Sequence, residues 1–412
     1  MGMDGGWLRA QRRAHGWDVP EMARQLVRSA PDTRGSLPDH DCLVRYIRRW
    51  ERGSTGVSER YQILYVRAFG ITGGEFPALA AATPGIRTGE SFAPEMVAAM
   101  GSALHAARRV QAGPDRDLVA VQRDVVRAWE LRQSAQYAEL GGLLAGLLQD
   151  TAAYLEASRA GERVLGEVSA AVHAHNAASS LLKRLEVFEM AAIAADRAFR
   201  IARQAGDGLL AGAATLRLAN VFLSGSRYGE AMETAARGAD DLSPQLGGQA
   251  QAIATFGALL LTAAVAAARL GEAAQAWEFL GHAKSAASGM EAEHAGLCAV
   301  FGPVNLAIHG VQVATDLGDS REALRRAELV DVGRLPSTLI ERRSTLLIDI
   351  ARSQDRNGDH GAAAATLVEA ERIAPLEVRY NGVARSLLAD LLSSSAASGE
   401  LREMAARVSA AA

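Results

Sequence analysis

The chain has 412 residues and is 49% hydrophobic but only 5% aromatic, so its apolar surface comes from Ala and Leu, which favour helix over strand. Its formal net charge of −3 is uneven: residues 1–82 hold 12 Arg and 9 Asp or Glu, leaving a basic start on an acidic remainder. Cys42 and Cys298 match no metal-ligand spacing, and the N-terminus lacks the apolar run of a signal peptide, which leaves an all-α cytoplasmic protein with reduced thiols as the expectation.

In chain order, Trp7, Leu8 and Gln11 open a first helix that stops at Gly16. Asp18 caps a second, which carries Met22, Ala23 and Leu26. Residues 27–38 are either an enlarged turn or an extension of that second helix. The third helix lies in "DHDCLVRYIRRWERG", with Asp39 as its cap and Gly53 as its stop. Leu43, Ile47 and Trp50 form its apolar stripe, and Arg45, Arg48, Arg49 and Arg52 project from the other side. A fourth helix, capped by Ser58, buries some combination of Ile63, Leu64, Val66 and Phe69. Short helices around a small core, with one basic helix outermost, point to a helix-turn-helix domain over 1–82.

This order of residues resembles the Cro/lambda-repressor (Xre) helix-turn-helix family, at Leu8, Arg12, Gly16, Asp18, Met22-Ala23 and Glu51-Arg52-Gly53. The resemblance implies a structural ion pair between Arg12 and Glu51. It places base reading on Val44, Arg45 and Arg49, with Arg48 beside them and Arg52 at the end of the same helix. The chain departs from the family at Val19, where glutamine is usual, and in the 28 residues from Ala23 to Glu51, about twice the usual gap. Arginine suits such a role because its planar fork donates twice to guanine.

A linker, "TPGIRTGESFAP" (83–94), separates this part from residues 95–412. There the segments "LGEAAQAW", "LGDSREAL" and "NGDHGAAA" each place Gly five residues before Ala, and "GSRYGEAM" and "LEVFEMAA" fit the same frame. The turn positions 186, 226, 271, 318 and 358 mark two helices per repeat, with a small Ala where the second approaches its neighbour. Residues 128–148 read as a further helix pair, and 256–271 as a buried helix too short to span a bilayer. These repeats resemble tetratricopeptide repeats, which implies an α-solenoid of stacked helix pairs.

Asn176, Asn220 and Asn305 fall within roughly 60° of one another on equivalent helices, and His309 and Gln312 extend the stripe from Asn305. Amides both donate and accept, which suits holding the backbone of an extended peptide. His173 and His175 read as structural, Cys298 as a small core residue, and no phosphate-loop, dinucleotide or nucleophile motif is present. No cofactor and no catalytic residue is expected.

The combination resembles bacterial regulators with an Xre-type head and a tetratricopeptide body, whose quorum-sensing members bind a signalling peptide. That resemblance implies a homodimer on double-stranded DNA with an inverted-repeat operator, answering to a peptide or small molecule, without membrane association. The alternative expectation is an interaction scaffold whose basic domain contacts an acidic protein.

Overall fold

Four short helices come first in the computed structural model: α1 (Gly5–Ala14), α2 (Val19–Arg28), α3 (His40–Glu51) and α4 (Glu59–Phe69). The structure describes residues 5–29, 40–52, 57, 59–70, 94–106, 115–157, 165–247, 249–297, 299–394 and 397–410. Gly16 takes a φ of +71°, and the Asp18 carboxylate accepts the Glu21 amide at 2.6 Å to start α2. That helix ends at Arg28, where Ser29 closes back on Gln25, so the second helix is not extended. The expected caps Asp39 and Ser58, the stop at Gly53, the 83–94 linker up to its last residue, and Cys298 lie outside the described residues.

The stripe Leu43, Ile47 and Trp50 is buried against Leu8, Met22, Leu26, Leu64 and Phe69. Two tyrosines that the sequence pattern did not single out, Tyr61 and Tyr65, complete this core, and Trp50 lies 4.7 Å from Tyr61 between ring centres. Aromatic area fills this small unit. The side chains of Ile63 and Val66 lie outside the described residues.

The remaining helices are α5 (Pro94–Ala106), α6 (Leu118–Gln133), α7 (Tyr137–Ala157), α8 (Leu165–Arg184), α9 (Phe188–Gln204), α10 (Gly208–Ser224), α11 (Tyr228–Leu242), α12 (Ala250–Leu270), α13 (Ala273–Ala287), α14 (Pro303–Asp316), α15 (Ser320–Ala327), α16 (Ile340–Arg356), α17 (His360–Ile373), α18 (Pro375–Arg379), α19 (Gly382–Leu392) and α20 (Gly399–Ala410). From α6 to α17 consecutive helices pack in pairs, and each even-numbered helix also packs on the next even-numbered one. The described protein is therefore all-α apart from one hairpin.

The turns explain the pairing. Glu186, Ser226, Gly271, Gly318 and Gly358, the five predicted turn positions, all have positive φ, and Ala135 repeats the conformation between α6 and α7. In all six the next amide reaches back five residues to a helix carbonyl, as Val187 does to Leu182 and Asp359 to Gln354, which uses up carbonyls the helix leaves open. Asp319 and Asp359 then cap the following helix. Ala191, Ala231, Ala276, Ala323 and Ala363, each five residues past the turn, are all fully buried. A larger side chain there would hold the paired axes apart.

The unequal repeat lengths also have a cause. The stretch from Gly271 to Gly318 contains an unanticipated antiparallel hairpin, β1 (His294–Ala295) and β2 (Val300–Phe301). Phe301 is fully buried against α12 at Gly257, where an added Cβ would lie 2.1 Å from its ring. The stretch before it holds the 21-residue α12. By length and composition α12 matches a membrane span, but 72% of that apolar window is buried within the fold.

Ser226 holds an L-residue in left-handed backbone at a cost of about 1–2 kcal/mol. Ser226→Gly is expected to raise stability by about 0.5–1 kcal/mol, after the extra freedom glycine gives the unfolded chain. Gly271→Ala is expected to lower it by about 1–2 kcal/mol. Paired thermal melts of the two variants check both signs.

Candidate functional site

Two places gather polar chemistry: the outer face of α3, and a buried zone where early helices meet late ones. In the first, Arg12 grips Glu51 with both arms of its guanidinium, Nε to Oε1 at 2.6 Å and Nη2 to Oε2 at 2.8 Å. Both residues are buried, and Arg9 adds a hydrogen bond to the Glu51 carbonyl at 2.8 Å. The hydrogen bond to Glu51 raises the Arg12 pKa above its ordinary value. This pair fixes the C-terminal end of α3 against α1.

With that end fixed, Arg45, Arg48, Arg49 and Arg52 are exposed on the outer side of α3. Arg52 folds back to donate to the Arg48 carbonyl at 3.0 Å. Among the described residues no carboxylate pairs with any of the four. Val44 corrects the expectation: it is 9% exposed and packs into the core, because it adjoins Leu43 on the apolar side of the helix. It has no side chain free for reading bases.

Glu51→Ala leaves Arg12 buried without its carboxylate partner and removes the carboxylate that Arg9 faces at 3.5 Å. The expected loss is about 3–5 kcal/mol, seen as early unfolding of the tryptophan-rich α1–α4 unit by fluorescence. An unchanged melt would remove the pair from its bracing role.

In the second place the run of helices turns back on itself. Arg132 of α6 donates to Glu341 of α16 at 3.2 and 3.4 Å, and to Ser180 of α8 at 2.8 Å. Arg184 pairs with Glu377 of α18 at 2.6 Å, and the Tyr137 hydroxyl donates to the same carboxylate at 2.5 Å. Arg385 reaches Glu186 at 2.7 Å. Burial opposes the charged form of Glu341, but Arg132, Arg342 and Arg184 outweigh it and hold its carboxyl well below the ordinary range.

Along α8, His173, Asn176, Ser180 and Arg184 recur at intervals of three and four and so share one face, with Lys183 at its edge. Across from them Arg217 of α10 lies over the Trp129 ring at 5.5 Å. Lys183 is half-buried and has no hydrogen bond or ion pair among the described residues.

The amide stripe is distributed differently from the expectation of one open groove. Asn176, Asn305 and His309 are buried, while Asn220 and Gln312 are half-buried. Asn305 donates to the Val300 carbonyl of the hairpin at 2.9 Å, and Asn220 donates to Leu216 at 2.8 Å and Thr262 at 3.4 Å. These two amides join neighbouring elements. The hairpin, absent from the repeat pattern, supplies the partner of Asn305. Asn176 keeps an unpartnered Oδ1. The residues that sequence reasoning missed are Arg132, Lys183, Arg184, Arg217, Glu341 and Glu377. The available signal was charge inside otherwise apolar helices, with Lys183 one of only two lysines in the chain.

Burial first, then a neighbouring arginine, lowers His173, His175 and His309 from 6.5 to about 4. The unfolded chain therefore binds these protons first, so the stability is present above pH 6.5 and is lost as pH falls towards 4, on the order of 3 kcal/mol per histidine. Asp349, raised by burial to about 6, acts in the opposite sense over part of that range. Three groups outweigh one, and melting temperature is expected to fall between pH 6.5 and 4. His309→Gln should flatten the slope of a melting series across that window.

Neither the protein-family models nor the curated proteins include a match to this chain.

Proposed function

We propose that this protein is a sequence-specific DNA-binding transcription regulator. Residues 1–82 act as a helix-turn-helix reader, joined through 83–94 to a tetratricopeptide-like α-solenoid over 95–412 that receives a peptide or small-molecule signal. The observation that carries the reading is the set of four exposed arginines on α3, held from behind by the buried Arg12–Glu51 pair. A rigid helix presenting uncompensated guanidinium groups fits the major groove of double-stranded DNA, and arginine donates in pairs to guanine O6 and N7.

In this reading Arg45 and Arg49 read bases, and Arg48 and Arg52 hold phosphate and fix the approach. The protein works in the cytoplasm as a homodimer, so that two heads meet two half-sites of an inverted repeat. The ligand must bind one arrangement of the repeat body better than another, because only differential binding shifts a conformational equilibrium.

Genome-wide mapping of bound DNA, followed by fluorescence anisotropy on a recovered site, tests the reading. Arg45→Ala and Arg49→Ala are each expected to weaken that site by about 1–3 kcal/mol while binding to random DNA changes little. Equal losses on both DNAs would reduce these side chains to phosphate contacts. An absence of mapped sites, with capture of an acidic protein through the same arginines, would favour the scaffold instead.

A further inference from the structure

Three of the large apolar side chains that reach solvent gather in one place. Among the described residues Val119 is 58% exposed, Val126 44% and Leu165 69%. Val119 and Val126 lie seven residues apart on α6 and share its outer face. Leu165 opens α8 beside them: the Gln122 side-chain amide donates to the Gly166 carbonyl at 3.4 Å, which puts the start of α8 against the turn between the two valines. The other large apolar residues of comparable exposure form no such group. Ile193 and Phe199 are about 120° apart around α9, and Leu329 lies beyond α15. Single exposed apolar residues are ordinary on a protein surface, but three together mark a contact surface.

The same face of α6 carries charge of both signs. Val119, Arg123, Val126 and Glu130 fall within roughly 60° of one another around the helix, and all four are exposed. The side chains of Arg123 and Glu130 have no ion-pair or hydrogen-bond partner among the described residues. Seven residues separate them, about 10 Å along the helix, so they do not pair with each other within one chain. Val126 lies between them. A twofold axis crossing α6 at right angles beside Val126 exchanges the two charged positions, setting Arg123 of each copy against Glu130 of the other. It also sets Val126 on its own copy at the centre. A stripe complementary to itself in this way fits a second copy of this chain, with the two helices antiparallel, better than a partner of single charge.

We propose that the exposed stripe of α6, Val119, Arg123, Val126 and Glu130 with Leu165 at its flank, is the surface through which two copies of this chain join as an antiparallel helix pair. The inference rests on the reading of the protein as a homodimer and names the surface that joins it. Its test omits DNA: recognition of DNA stands or falls on operator binding, and this surface on the mass of the protein in solution. The 16-residue α6 is about 24 Å long, so the contact is at the small end of stable interfaces and the dimer is expected to form in the micromolar range.

The mass of the full-length protein is followed by sedimentation velocity from about 1 to 100 μM, a range that brackets a micromolar dissociation constant. The wild type is expected to pass from monomer to dimer. Val126→Asp sets two carboxylates on the axis, and Arg123→Glu and Glu130→Arg each oppose like charges, so each is expected to weaken association roughly tenfold. The double variant Arg123→Glu/Glu130→Arg restores the opposite pairs in reverse and is expected to return to within about threefold of wild type. All these positions are exposed, so the variants are expected to keep the wild-type melt by circular dichroism, and recovery in the double variant separates lost contact from lost fold. A wild type that stays monomeric throughout overturns the proposal and leaves the stripe to a different protein. A dimer that the single charge reversals leave intact, or a double variant no tighter than the singles, overturns it as well and puts the junction elsewhere.

Discussion

The Arg132–Glu341 contact joins residues 209 positions apart, and the arrangement of the helices after α5 depends on it and its neighbours. A stack of helix pairs needs only nearest-neighbour contacts, and its ends are free to fray. Here α6, α7 and α8 are bonded to α16 and α18 through buried polar contacts. Transferring such charges from water is costly, and the cost is offset only when every oxygen has a cationic or hydroxyl partner. Glu341 and Glu377 meet that requirement through several partners each. Loss of one pair would therefore loosen both ends of the run together, so that the run unfolds as a unit.

The α1–α4 unit relies on the same physics at smaller scale. Too few residues are present for an Ala and Leu core of the kind seen later, and aromatic rings supply the area instead. The Arg12–Glu51 pair then sets the angle of α3 and leaves its arginines outside. One ionisable pair is buried so that four like charges remain in solvent.

The periodic features of the fold were legible in the sequence. A turn residue five places before a buried Ala located five turns, because a close helix crossing restricts the residue at the contact and left-handed backbone favours glycine, as at Gly271, Gly318 and Gly358. The apolar stripe of α3 and the Asp18 cap were legible for similar local reasons. Long-range features were not. Nothing near Arg132 announces Glu341, and an array drawn from repeats alone has no closure. Val44 occupies a position that the Xre resemblance assigns to base reading, but it lies on the apolar face of α3 beside Leu43 and is buried there. Asn220 and Asn305 bond to neighbouring elements that helical geometry on a single helix does not contain. Lys183 was visible in the composition as a rarity, but its isolation depends on charges from α6, α8 and α10.

The turns within pairs differ along the chain. At Ala135, Glu186 and Ser226 an L-residue occupies left-handed backbone, whereas the three later turns use Gly271, Gly318 and Gly358. The later hinges are therefore relaxed, while the earlier ones are preloaded, each like a spring compressed by about 1–2 kcal/mol. Two of the preloaded hinges border the closure: Ala135 precedes Tyr137, and Glu186 is itself held by Arg385. The closure works against this stored tension, and releasing it lets the early pairs recoil first. Backbone strain is thus graded along the helix pairs, held in the early turns and absent from the later ones.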